Sequence, residues 1–426
     1  MKLKSVWILA SLLVIAWVRP ARAQEARSPG QPEKLADLLA ESERNNPLIR
    51  AARQEWQAAQ QLPTQVSTLP DPQFVLQHVS VGSPRPFAGY TNSDFAYVGL
   101  GISQDLPYPG KLRLRGEIAR KDAEVMQQKY ESVRKATLAE VKTAYVQLGF
   151  LAKRQIVLEE DRQLLQQIEQ SVEARYRSGM GNQQNVLQAQ LEQTKLLREI
   201  KTSQLETGKV QATIKQLLTR PQSSPDIETV ELAETVISDT YEQLVAAATA
   251  NNPEIEGARK TVERQDLQVN LAKKDFYPDF NLQYMWQRTD PTQFRAYYSV
   301  TLGVRVPIYR GRRQQPELAQ AEADQNRARS EYESQAQRIA LQLRQQFLST
   351  ENSAELLKIY RDGLVPQAHA MLQAEITAFQ SDRQDFQALL ASFLDLLKLD
   401  EEYWQTLSEH ESALAQLEEI TGLSLR

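Results

Sequence analysis

The stretch SQDLPYPGKLRLRGEIA, residues 103–119, joins two patterns that meet abruptly. An alternating, strand-like run reaches Leu106. Pro107 and Pro109 stop it, Gly110 turns the chain, and a charged helical pattern begins at Lys111 and continues for over sixty residues. Proline has a fixed φ and no amide to leave unpaired, so it makes a stiff corner. The segment predicts a short strand that feeds, through this corner, into a very long helix.

Outward from the corner, no proline interrupts the chain between Pro109 and Pro221. Ala144, Leu151, Leu158, Leu165 and Val172 fall seven apart, with Val141 and Leu148 on the neighbouring seam. The returning arm repeats the rhythm with Ala189, Leu196, Val210 and Leu217, and with Val186, Ile200 and Ile214. Heptads of this kind bury a narrow seam against neighbouring helices. Glu, Gln, Lys and Arg fill most other positions, so the helices are wet over much of their circumference. An arm of about 60 residues reaches about 90 Å at 1.5 Å per residue. That is about three times the ~30 Å hydrocarbon layer of a bilayer. A polar helix of that length spans an aqueous gap.

The chain then says the same thing twice. NNPLIRAAR (45–53) returns as NNPEIEGAR (251–259), and LPDPQFVLQ (69–77) has a counterpart in FYPDFNLQY (276–284). LGISQDLPYPGKLR (100–113) is echoed by LGVRVPIYRGRR (302–313), and RYRSGMGNQQNVLQAQ (175–190) aligns without gaps on AFQSDRQDFQALLASF (378–393). Four echoes in one order, at offsets between about 200 and 208, make a duplication. Each copy reads helix, two strands, long helical hairpin. The second hairpin carries its own seam at Ala336, Leu343, Leu357 and Leu364, then Leu389, Leu396 and Tyr403.

The strands alternate. Phe280, Leu282, Tyr284 and Trp286 take turns with Asn281, Gln283 and Gln287, and Tyr298, Val300, Leu302, Val304 and Val306 with Ser299, Thr301 and Arg305. In the first copy Val98, Leu100 and Ile102 alternate with Gly99, Gly101 and Ser103, and Phe74 with Leu76 opens the other strand. Each strand has one apolar and one polar face. Two readings fit: a soluble sheet packed on helices, or membrane-spanning strands of about ten residues. Polar, turn-rich loops at 82–94 and 289–296 favour the second, as do Tyr90, Phe95, Phe294, Tyr297 and Tyr298 at the strand ends, placed like the aromatic girdles of barrels.

Composition agrees. Lys2 and Lys4, an apolar run from Val6 to Val18 and the small residues at 21–23 read as a secretory leader. The net charge is −4 and becomes more negative without the leader's Lys2, Lys4, Arg19 and Arg22, which argues against a general nucleic-acid binder. There is no cysteine, hence no disulfide framework and no lipidated cysteine. Since no later segment is apolar enough for a membrane helix, any crossing must use strands.

Two hairpins make four strands, fewer than the eight or so of the smallest outer-membrane barrels. An open sheet in lipid would leave two edges of unpaired amides, so copies must pool their strands. Two copies fill the interior with side chains, and three leave a lumen. The sequence therefore reads as a mainly α chain with a transmembrane β part. Its expected divisions are a signal peptide (1–23), an N-terminal segment with an equatorial helix (24–70), a first transmembrane hairpin (71–106) and a first long helical hairpin (107–220). An equatorial segment (221–275), a second transmembrane hairpin (276–308) and a second helical hairpin with the C-terminus (309–426) follow. Pro107, Pro109 and Gly110, mirrored by Pro307 and Gly311, are the corners where sheet becomes tube.

The duplicated layout, the PYPGKLRLRGEIA corner and the YRSGMGNQQNVLQAQ tip resemble the TolC-type outer-membrane efflux channels. LPDPQF, SQDLPYPGKL and SDRQDFQALL are most similar to the heavy-metal branch, the CzcC and CusC type. This resemblance implies a homotrimer, with a twelve-stranded β-barrel in outer-membrane lipid of a Gram-negative bacterium and a twelve-helix tunnel in the periplasm. It also implies a belt (about 32–62 and 221–258), a periplasmic adaptor and an inner-membrane pump of the RND type. The lipidated cysteine of many members of that branch is absent here. Gly179 of the first tip is replaced by Asp382 in the second, so a turn of different shape is expected there.

No catalytic constellation, cofactor motif or P-loop appears, and none of the three histidines (His78, His369, His410) has HExxH spacing. The chain is read as a non-enzyme without cofactor or bound metal, and it offers no relay of soft metal ligands. A conduit works at its narrowest point, so the candidate residues are at the tips: Tyr176, Gly179, Met180, Gly181 and Asn185 in one, Phe379, Asp382, Arg383 and Asp385 in the other. By resemblance they close the entrance and dock the adaptor. Repeated around a threefold axis, Asp382 or Asp385 would form a carboxylate ring that attracts cations, or would simply cap the next helix. The function expected is an efflux exit duct for small solutes or metal cations. Alternatives are a periplasmic coiled-coil scaffold and the duct of a protein-secretion system.

Overall fold

The computed structural model describes residues 32–79, 97–288 and 296–425. The leader, loop residues 82–94 and 289–295, and with them Tyr90, Phe95 and Phe294, lie outside these ranges. In chain order the first repeat forms α1 (Leu35–Asn45), α2 (Pro47–Ala59), α3 (Leu62–Ser67), β1 (Gln73–Val79), β2 (Tyr97–Leu106), α4 (Lys111–Arg177) and α5 (Gln183–Leu217). The second forms α6 (Tyr241–Asn251), α7 (Pro253–Lys274), β3 (Asp279–Arg288), β4 (Tyr297–Arg305), α8 (Gln314–Ile359), α9 (Val365–Gln380) and α10 (Phe386–Thr421).

The repeated NNP motif explains how each repeat is tied together. Asn46 and Asn252 cap α2 and α7, accepting from the amides of Leu48 (2.9 Å) and Glu254 (3.0 Å), with proline in the first helical turn. Their side-chain amides point the other way. Asn46 Nδ2 donates to the carbonyl of Leu217 (2.9 Å) and Asn252 Nδ2 to that of Ile420 (3.0 Å), at the ends of α5 and α10. One asparagine starts one helix and satisfies the end of another, in both copies.

The heptad seams are buried as expected from Ala144 through Val172 and at Leu196, Ile200, Ile214, Leu343, Leu357, Leu389 and Leu396. Leu364 departs from the expectation and is exposed. A π-helical turn at Tyr360–Leu364 precedes Pro366, whose missing amide disfavours a regular α-turn. The turn inserts one residue, so the seam resumes at Leu372 and Phe379 while Met371 faces out. The uninterrupted α4, 67 residues and about 100 Å long, has no such shift.

The four strands pair antiparallel in the order β1-β2-β3-β4. In register, Phe74, Ile102, Tyr284 and Val300 form one row, and Leu76, Leu100, Trp286 and Tyr298 the next. These apolar side chains are exposed, Phe74 at 81% and Tyr298 at 71%. No described helix covers them, which goes against the soluble-sheet reading. On the opposite face Gly99 and Gly101 leave room for Met285; a Cβ at Gly101 would lie 3.1 Å from its Cε. No described helix is long and apolar enough to cross a membrane.

The first corner joins the repeats. Gly110, at φ 93°, makes the left-handed step that lets α4 start at Lys111. The Tyr108 amide donates to Asp279 Oδ1 (2.8 Å), and the buried Lys111 ammonium reaches Asp279 (2.9 Å) and Asp275 (3.1 Å). Tyr108 and Tyr277 stack at 4.6 Å with the Lys274 ammonium over both rings. Sheet and long helix are thus locked at one clasp.

The second corner does not mirror the first. Its strand ends at Arg305, a hydrogen-bonded turn winds through Tyr309, and α8 begins only at Gln314 after Arg313. Gly311 adopts no left-handed step. With one proline instead of two, the backbone there is free to coil first.

Replacing Lys111 with Met should leave two neighbouring carboxylates uncompensated. It should cost about 1–3 kcal/mol in thermal unfolding followed by circular dichroism. Arg113→Met, which breaks an exposed pair with Glu117, should cost under about 0.5 kcal/mol.

Candidate functional site

The two helical hairpins end side by side. In the first tip the amides of Ser178, Gly179 and Met180 bond back to the carbonyls of Ala174, Tyr176 and Arg175; in the second, those of Ser381, Asp382 and Arg383 bond to Thr377, Phe379 and Ala378. Every pair is displaced by the same 203 positions. Gly179 sits at φ 73° and Asp382 at φ 59°. The expected difference in turn shape is therefore absent: Asp382 accepts the left-handed conformation that glycine takes in the first copy, as Asp can at modest cost. Both tips also end in a helix cap at matching positions, bonded to amides one place apart. Asn182 accepts from the Gln184 amide (3.1 Å) and Asp385 from the Ala388 amide (3.0 Å).

One side chain bridges the tips. Arg175 Nη1 donates to Asp382 Oδ1 at 3.0 Å, Nη2 donates to the Phe379 carbonyl, and the guanidinium lies over the Phe379 ring at 4.1 Å. Phe379 and Phe386 are buried beneath it. Farther up, Gln387 Nε2 donates to Gln188 Oε1 (2.7 Å). Between the tips lies an open cleft of about 660 Å³, lined by Arg175, Gly179, Met180, Gly181, Asn185, Phe379, Asp382, Arg383 and Asp385 among others. All the expected tip residues except Tyr176 line this one cleft. Tyr176 is exposed beside it.

The two tip aspartates have different contacts, and the capping alternative fits Asp385. Asp385 is held by capping α10, whereas Asp382 is the carboxylate that crosses between hairpins. Arg175 was not singled out in the sequence, because its match in the second copy is Ala378 and nothing in a heptad tells which basic residue faces the other tip. The corner residues Pro107, Pro109, Gly110, Pro307 and Gly311 lie at the far end, where the sheet begins.

A second feature also escaped sequence reading. About 20 Å up from the tips, Asp161 of α4 is only 8% exposed, and its Oδ2 has no hydrogen-bond partner. Burial, then the nearby carboxylates of Asp400 and Glu160, push its pKa up to about 7. Burial raises Asp400 too, against the His369 ring, whose Nε2 is 3.8 Å away. His410, by contrast, is structural: its ring nitrogens face Ser353 Oγ (2.9 Å) and the Thr235 carbonyl (2.8 Å). No group of three His, Cys, Asp or Glu among the described residues could hold a metal ion.

The family model for outer membrane efflux proteins matches residues 38–219 and 244–418, one long helical hairpin in each match. The chain belongs to the outer membrane efflux protein family. It is accordingly a protein of the Gram-negative outer membrane with a large periplasmic helical part. No curated protein matches this efflux protein by sequence. Its fold is similar to that of the outer-membrane channel OprN (19% identity, 92% of this chain and 90% of that one, TM-score 0.80). VceC from Vibrio cholerae is similar too (18%, 92% and 97%, 0.78), as is CusC (17%, 92% and 93%, 0.78). At these identities the likeness is one of fold, and the family and fold are those of channels.

Asp161 titrates in a way that stability should report. Its folded pKa, about 7, lies above the ordinary 3.8, so the folded state holds this proton more tightly. The stabilisation is complete below about pH 4 and is lost as pH rises through about 7. Asp161→Asn should therefore raise stability by about 1–3 kcal/mol at pH 8 and by much less at pH 5. Equal shifts in melting temperature at both pH values would refute this.

Proposed function

We propose that three copies of this chain close a twelve-stranded barrel and a twelve-helix tube, forming the exit duct of a tripartite efflux system. The carrying observation is the bare apolar face of a four-stranded sheet whose edge strands, β1 and β4, have no outer partner among the described residues. In hydrocarbon such a face is at home and such edges are not. The helical layer supports the same closure. The flank of α5 leaves Leu187, Leu191, Leu197 and Leu205 exposed, and that of α8 leaves Leu341, Leu348 and Ile359 exposed. Each flank therefore has an apolar stripe to offer a neighbouring copy.

Three copies rather than two suit the inner face. There the small Gly99, Gly101, Ser103, Thr301 and Gly303 sit in rows with Gln73, Gln77, Asn281, Gln283 and Gln287, a polar lining that suits the wet lumen left by twelve strands. Transport through such a duct is passive, and the tips form its periplasmic entrance. Arg175, Asp382 and Phe379 hold the two hairpins of a copy together, Arg383 and Met180 remain available at the mouth, and the tips dock a periplasmic adaptor that links the duct to an RND-type inner-membrane pump. Small solutes are the cargo. A metal cation is served equally well, since the heavy-metal resemblance rests on the LPDPQF, SQDLPYPGKL and SDRQDFQALL motifs and no ligand relay lines the described residues. Selectivity then belongs to the pump. A protein-secretion system could employ the same duct, but no observation favours it.

Light scattering of the detergent-solubilised protein should give the mass of three chains, and planar bilayers should show discrete channels. Arg175→Ala and Asp382→Ala should each raise single-channel conductance several-fold by freeing the hairpins, and Asp382→Ala should also weaken cation preference. A monomer without channel activity would end the duct reading. Trimeric channels with unaltered conductance in both variants would end only the entrance assignment.

A further inference from the structure

The second corner carries its chemistry unpaired. We propose that its arginine turn, residues 308–313, clasps Asp71 of a neighbouring copy and so locks the seam where β4 of one chain meets β1 of the next. The proposal rests on the closed-ring reading above.

The first corner is the template. There the turn after β2 docks on the Tyr277-Pro278-Asp279 step that opens β3, through the Tyr108 amide, the Lys111 ammonium and stacked tyrosines. The duplication places Leu69-Pro70-Asp71 at the same step before β1, and the turn after β4 in place of the Tyr108 turn. Within one chain these two halves cannot meet. They lie on opposite edges of a four-stranded sheet, about 14 Å apart at the usual strand spacing.

Both halves are correspondingly bare. Asp71 is exposed and, among the described residues, no hydrogen bond or ion pair engages its carboxylate. Ile308 and Tyr309 are 73% and 70% exposed. Arg310 and Arg312 are exposed and have no ion-pair partner among the described residues, while Arg313 is engaged by Glu317 at 3.2 Å. A cationic turn with a free tyrosine therefore faces outward at one edge, and an unpaired carboxylate beside a proline at the other. A second copy brings them together in the arrangement the chain already uses internally. Two free guanidinium groups replace one ammonium, which suits a more exposed site because Arg can hold a carboxylate bidentately.

Charge reversal with rescue tests this in the full chain. Asp71→Arg, and separately Arg310→Asp with Arg312→Asp, should lower the temperature at which the oligomer dissociates on a semi-native gel by at least ~2–4 °C. Helical content should stay unchanged, since every altered side chain is exposed. Combining all three reversals should recover most of the loss. Losses that merely add, or an unchanged dissociation temperature on either side, would overturn the clasp. So would a loss confined to the arginine variants, which would assign the turn to acidic lipid headgroups. In each of these cases an intact wild-type oligomer leaves the duct reading standing. A wild-type chain that is monomeric ends both.

Discussion

A backbone amide in hydrocarbon must find its partner within protein, and a sheet of four strands leaves two edges without one. The rest of this structure answers to that constraint. The apolar rows from Phe74 to Val300 and from Leu76 to Tyr298 make the sheet a wall that belongs in lipid, while its opposite face, rich in Gln, Asn, Ser and Gly, suits water. The proposed closure by neighbouring copies would remove the edges and keep both faces where their chemistry suits them.

The helices answer to the same demand from below. Because they continue the strands through short corners, any symmetry adopted by the sheet is imposed on the tube. The clasp of Lys111 with Asp275 and Asp279 makes that transmission stiff, for a buried ammonium between two carboxylates tolerates little displacement before desolvation outweighs attraction. At the opposite end the Arg175 bridge does for the hairpin tips what Lys111 does for the corner. Asp161 sits between these ends as a weakness built into the seam, a carboxyl group that prefers its proton.

Duplication accounts for the economy of the design. The two NNP caps and the two tip turns are the same local solutions used twice, down to the donor and acceptor at each displaced position. Where the copies diverge, their contacts diverge too. Ala378 stands where Arg175 does, so only one tip reaches across. The second corner has Arg310-Gly311 where the first has Pro109-Gly110, so one corner clasps β3 and the other has no such clasp among the described residues.

Local chemistry made much of this legible in the sequence. Heptads, alternation, proline corners and the four collinear echoes determined the order of elements, the amphipathic strands and the long polar hairpins, because each depends on residues near one another along the chain. The positions of both tips followed from the same echoes. Tertiary structure alone decided the rest. Leu364 left the seam because a π-helical turn ahead of Pro366 shifts the register by one residue, an effect heptad counting cannot see. Asp382 kept the turn of Gly179 despite its side chain, since the surrounding hydrogen bonds outweigh a modest backbone cost. Lys111, Arg175 and Asp161 acquired their partners, or their lack of one, from contacts more than a hundred residues distant. Periodicity reports which face of an element is buried. Only three-dimensional packing reports against what.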